Sequence, residues 1–138
     1  MKTTYVFLPV VLILLMLGSC TPKINFVASS KVPAATGYAK IKKDKNGNYV
    51  VNVEVLNLAP PERLTPPQQA YIVWAELGQN NVKKLGLLKP SSTMISKALK
   101  ASLSAPAASE PVRVFITAER DTEVQYPVGD EILVTARR

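Results

Sequence analysis

Short runs of alternating apolar and polar residues, each closed by Pro, Gly, Asn or Ser, recur along this chain about every ten residues. No long stretch carries helical periodicity. Ile24 to Ala28 alternates, with apolar residues at 24, 26 and 28. Tyr38 to Lys43 alternates too, with Ala39 and Ile41 on one face. Asp44-Lys45-Asn46-Gly47-Asn48 is a turn, because Asn-Gly readily supplies the positive φ angles of a tight hairpin. Tyr49, Val51, Val53 and Val55 then share a face opposite Asn52 and Glu54, which predicts a hairpin with one buried and one wetter side. Tyr71 to Leu77 is apolar on both faces and reads as a central strand. Val82 to Leu88 follows the turn Gly78-Gln79-Asn80-Asn81. Val112, Val114, Ile116 and Ala118 alternate with Arg113, Phe115, Thr117 and Glu119, and Ile132 to Ala136 closes the series.

Proline delimits the rest. Ala59 to Pro67 cannot be a central strand, since proline lacks the ladder donor, so it is a stiff connection. Ala105 to Ser109 reads as loop. Met94 to Leu103 is open between a strand and a helix: Ile95, Leu99 and Leu103 are spaced by four, while the Ser content and the strand-rich surroundings favour a strand. The expectation is an all-β body, an immunoglobulin-like two-sheet antiparallel β-sandwich of seven or eight short strands over residues 37–138. Trp74 on its central strand suits the core of such a sandwich.

The amino terminus is different. Met1-Lys2-Thr3-Thr4 is cationic, and Val6 to Leu17 is apolar at every position, with Pro9 the single interruption. As a helix this run reaches only ~18 Å, short of a hydrocarbon core of ~30 Å. A charged start, a short greasy middle and a small-residue end are the parts of a secretory signal, here residues 1–19.

Leu17-Gly18-Ser19-Cys20 resembles the lipobox of bacterial lipoproteins. The resemblance implies that the Cys20 thiol receives a diacylglyceryl group, that the signal is cut before Cys20, and that the new amino group is acylated. Two or three chains would hold the protein firmly, where one holds only marginally. Residues 20–36 would then be a lipid-anchored segment with room for a first strand. Thr21 stands where an Asp would imply retention at the inner membrane, and Thr21 to Asn25 lacks the acidic run of surface-exported lipoproteins. The resemblance therefore implies an outer-membrane protein facing the periplasm.

A second resemblance covers residues 30–136. Gly37-Tyr38-Ala39 with Asn57-Leu58, Tyr71 to Glu76 with Lys84-Leu85-Gly86-Leu87, and Val114 to Glu119 with Tyr126-Pro127-Val128-Gly129 look like the extracytoplasmic domain of anti-sigma-K-type factors. What it implies is a β-sandwich. The sigma-binding helical module and the membrane span of those factors have no counterpart in this sequence, so the function does not carry over.

Composition excludes several chemistries. With no His there is no imidazole base, no Ser-His or Cys-His pair and no His metal ligand. With one Cys there is no internal disulfide and no Cys-based zinc site. No cofactor is implied. Of the 17 Lys and Arg, Lys2 falls in the signal, which leaves 16 bases against 10 acids, or +6. The excess is local: Lys23, Lys31, Lys40, Lys42, Lys43 and Lys45 face Asp44 alone over residues 21–45. Lys40, Lys42, Lys43 and Lys45 are candidate contacts to an anionic surface, either lipid head groups at about 1 kcal/mol per well-placed Lys or an anionic glycan. The alternative is a solvated strand face whose edge lysines block sheet aggregation. Nucleic acid is not an expected partner of an exported chain without an aromatic-basic reader motif.

Other constellations are weak. Asp44-Lys45-Asn46-Gly47-Asn48 starts like a calcium loop, but Tyr49 and Val55 stand where that pattern needs Gly and Glu. Glu119, Asp121 and Glu123 near Asp130 and Glu131 could supply an acid–base pair, and read instead as an exposed acidic loop beside Arg120. Ser91-Ser92-Thr93 with Lys97 lacks any sign of the desolvated Lys that a Ser–Lys nucleophile needs. Trp74, Tyr71 and Tyr49 could stack sugars, but at least two of them read as core. The expected function is therefore that of a non-catalytic, lipid-anchored envelope module binding a protein or glycan partner. The alternatives are an architectural subunit of an envelope complex and a small carboxylate-dependent hydrolase.

Overall fold

A computed structural model describes residues 20–91 and 99–138. The signal reading, and residues 94–98 of the strand-or-helix segment, lie outside the described residues. The described residues form eight strands, β1 (Lys23–Ala28), β2 (Thr36–Lys43), β3 (Tyr49–Leu56), β4 (Ala70–Glu76), β5 (Val82–Leu88), β6 (Lys100–Ala107), β7 (Arg113–Glu119) and β8 (Asp130–Thr135). A 3-10 turn, Pro61–Arg63, sits in the proline-rich connection.

All neighbours pair antiparallel in the order β5-β4-β7-β8-β1-β2-β3-β6. The two layers expected as separate sheets are halves of one sheet, because β1 pairs with both. Its first half faces β2, as in Ile24 opposite Ala39, and its second half faces β8, as in Val27 opposite Val134. The sheet curls until β5 and β6, its two edges, nearly meet. At this seam a Cβ on Gly86 would lie 3.2 Å from Leu103, so the bare glycine backbone lets the edges approach.

The interior follows from the period-2 patterning. Ala39, Val51, Val53, Val55, Tyr71, Val73, Val114, Ile116 and Leu133 point inward and are fully buried or nearly so. Each large apolar side chain so buried contributes about 1.5–3 kcal/mol. The β2–β3 turn forms as its sequence predicts: Gly47 takes φ 84°, and Asp44 Oδ1 accepts from the backbone N–H of Asn46 (2.8 Å) and Asn48 (2.9 Å).

Three expectations are corrected. Ala105 to Ala107 belongs to β6, not to a loop; Pro106 is accommodated because β6 is an edge strand, laddered to β3 on one side only. Trp74 does not enter the central core. It lies on the outer face of β4 with Ile72 and Phe115, packed by Val82, Leu87, Val124 and Val134. That outer face is dry because the β7–β8 connection, residues 120–129, folds back over it. This is why β4 is buried at every position. Finally, Glu119 is no exposed loop acid. It is 2% exposed and anchors that connection.

The anchoring is a chain of hydrogen bonds. Trp74 Nε1 donates to Thr117 Oγ1 (2.8 Å), and Thr117 Oγ1 donates to Glu119 Oε1 (2.6 Å). The Glu119 carboxyl also accepts from the backbone N–H of Val128 (3.1 Å) and Gly129 (2.8 Å). Lys84 Nζ donates to the carbonyls of Thr122 (2.6 Å) and Val124 (3.2 Å). We call this connection the strap.

Candidate functional site

The strands place the chain's candidate residues at one end and on one flank of the barrel. Because β1 is antiparallel to β2 and β8, its start lies at the same end as the β2–β3 turn and the carboxyl terminus. Cys20 is exposed there, three residues ahead of β1. Together with Thr21, Pro22, Ile41, Lys42 and Lys43 it lines a shallow depression of about 450 Å³. Lys43 Nζ lies 5.8 Å from the centroid of the Tyr49 ring, close enough for a cation–π contact that orients it.

Lys40 and Lys42 project from the outer face of β2, on the flank. With Tyr38, Asn52, Glu54, Ser102 and Ser104 they line an open trough of about 440 Å³ across β2, β3 and β6. Lys45 joins neither group and stands exposed in the turn. One cation that sequence reasoning counted but did not place belongs with Lys40: Lys23 is directly opposite it in the β1–β2 register. Only the pairing reveals this, since the two are far apart in sequence.

The other constellations do not assemble. Asp130 pairs with Lys31. Glu131 takes a two-pronged bond from Arg113 (3.0 and 2.9 Å). Asp121 accepts from the backbone N–H of Glu123 (2.9 Å). Among the described residues, no three His, Cys, Asp or Glu side chains group as metal ligands. Tyr71 and Trp74 are both fully buried, on opposite faces of β4, so no sugar-stacking platform exists with Tyr49. Tyr71 donates its hydroxyl to the Ala59 carbonyl (2.7 Å). Burial, helped by the charge of Glu62, pushes its phenol up to about 12. Ser91 exchanges backbone bonds with Lys100 (3.0 and 2.9 Å), and the rest of the Ser–Lys candidate lies outside the described residues.

Buried Glu76 sits near the end of the outer face of β4, with Arg113 at 3.1 Å and Arg137 at 2.7 Å. The Glu131 hydrogen bond holds the Arg113 guanidinium charged, above its ordinary value, against the opposing effect of burial. Arg113 also lies 4.4 Å from the Phe115 ring centroid. This network lies beside the carboxyl terminus and spends the Glu76 carboxylate on two guanidinium groups.

Among the described residues no helix is long and apolar enough to cross a membrane. Comparison of the chain with protein-family models, with curated proteins and with solved structures found no match.

Proposed function

We propose that this chain is a non-catalytic, lipid-anchored module of the cell envelope, tethered through Cys20 to the outer membrane and facing the periplasm. The observation that carries the reading is the position of Cys20: exposed, at the head of β1, and sharing a depression with Lys42 and Lys43. A thiol so placed is open to acylation, and the two lysines beside it would meet anionic head groups as the acyl chains enter the bilayer. The lipobox resemblance of Leu17 to Cys20 points the same way. The reading also treats the two halves of the sheet as immunoglobulin-like layers, in keeping with the anti-sigma-K-type resemblance. Its support is that β3 to β4 and β6 to β7 each cross from one half to the other.

Replacing Cys20 with Ser should abolish incorporation of labelled fatty acid and move the protein out of the membrane fraction. A free, unmodified thiol on Cys20 in the mass spectrum of protein purified from its native envelope would refute the anchor.

A second reading, assembly into an envelope complex, is favoured by the strap. Tyr126 is 72% exposed and Val128 81%, two large apolar side chains left in water on one connection. Crosslinking in native envelopes should capture a stoichiometric partner protein that is lost when both are changed to Ser. Capture unaffected by the double change removes the strap from the interface.

A further inference from the structure

Two lysines face each other across the β1–β2 ladder. Lys23 and Lys40 are directly opposed, with their Cβ atoms about 5 Å apart by strand geometry, and like charges so placed are destabilising. Lys42 follows on the same face, about 7 Å along β2. The repulsion has only partial relief. Lys23 Nζ lies 4.3 Å and Lys40 Nζ 5.6 Å from the centroid of the Tyr38 ring. The carboxylate in the trough, Glu54, is held by Lys100 at 3.4 Å. Among the described residues Lys23, Lys40 and Lys42 form no ion pair. A local rule left only partly compensated is expected at functional sites.

We infer that the outer face of β1, β2, β3 and β6 binds a carboxylate-bearing glycan strand, with Lys23, Lys40 and Lys42 taking the carboxylates and Asn52, Ser102 and Ser104 the sugar hydroxyls. The floor of the trough chooses the occupant. Asn52 lies opposite Lys40 and Ser104 opposite Asn52; Ser102 lies opposite Glu54. These short uncharged donors and acceptors match hydroxyls, where a plain head-group patch would need cations alone. The trough is open and climbs the flank from Lys42 to the Tyr38 row, about 14 Å along the strands, so a flat bilayer at the Cys20 end meets only its foot. β2 and β3, which carry Lys40, Lys42 and Asn52, are paired on both sides and offer no edge to an added peptide strand. The inference deepens the envelope-module reading by naming a ligand class, and rests on that reading only for where the membrane lies.

The test uses the full chain carrying Cys20→Ser in mild detergent, titrated calorimetrically with hexagalacturonate. Binding is expected, weakening as salt rises. Lys40→Gln with Lys42→Gln should weaken it about tenfold or more, the scale of two screened charge contacts. Lys83→Gln with Lys89→Gln, which removes the same charge elsewhere, should leave it unchanged, and neutral maltohexaose should not bind. Without ligand, Lys40→Gln alone should melt about a degree or two higher, because the Lys23 repulsion is gone. Absence of hexagalacturonate binding overturns the inference. So does an equal loss in the two double variants, binding to anionic vesicles alone, or a lower melting temperature for Lys40→Gln. Failure of fatty-acid labelling at Cys20 would sink the anchor and leave the glycan result standing, so the two readings fail separately.

Discussion

Glu119→Ala should lower the unfolding free energy by about 3 kcal/mol or more. The carboxyl group accepts from the Thr117 hydroxyl and from two backbone N–H groups, and it is 2% exposed. Removing it leaves the buried Thr117 hydroxyl and two part-buried backbone N–H groups without their acceptor, and a buried donor left unpaired costs about 1–3 kcal/mol. Urea unfolding gives the loss directly. A second readout reports the cause. Trp74 is the only tryptophan, it is fully buried beneath the strap, and its N–H leads through Thr117 to Glu119. Its emission in the native variant should therefore shift to the red as water enters. Glu119→Gln keeps one acceptor oxygen and should recover less than half the loss. An unfolding midpoint within error of the parent protein, with unshifted emission, would show that Glu119 does not hold the strap.

Adding one carbon at the other end of the same contact should be nearly as damaging. A Cβ on Gly129 would lie 1.9 Å from the Ala118 carbonyl oxygen and 2.9 Å from its carbon. Both are backbone atoms of β7, so nothing flexible can yield. Gly129→Ala must push the strap off β7 or shift the start of β8, where Asp130 pairs with Ala118. The expected cost is about 2–3 kcal/mol. The two substitutions release the same element, so together they should cost less than the sum of their separate effects. Full additivity in a double-mutant cycle would mean that Glu119 and Gly129 secure different parts of the molecule.

The strap was not legible in the sequence, for a physical reason. Asp121, Glu123 and Arg120 make residues 119–131 look like a solvated acidic loop, and loop composition carries no signal of what lies beneath. The clue was on the partner strand. Tyr71 to Leu77 is apolar on both faces, which a one-core barrel cannot satisfy unless something covers the outside. Sequence reasoning took that pattern to mean a central strand, as it is, and placed Trp74 in the central core, where it is not. Pro106 misled in the opposite direction. Proline argues against a strand only where its missing N–H would have been paired, and at an edge that depends on the order of strands.

The basic site was half legible. The clustering of lysines over residues 21–45 and their shared face with Tyr38 follow from period-2 spacing. The closeness of Lys42 and Lys43 to Cys20 and the confrontation of Lys23 with Lys40 do not. Both depend on which residue of β1 stands opposite which residue of β2, and a shift of one position would turn every side chain to the other face.

The residues alone decided the all-β character, the positions of most strands, the Asn46-Gly47 turn, and the exclusion of imidazole, disulfide and zinc-thiolate chemistry. Each of these is local, set by alternation, by φ preferences or by the presence of a residue type. Only the tertiary structure decided that one sheet curls until β5 nearly meets β6, that the strap seals a second apolar cluster outside it, and that Lys23 and Lys40 meet over the Tyr38 ring. Those are matters of register and strand order, and they are settled by contacts between segments that the chain holds far apart.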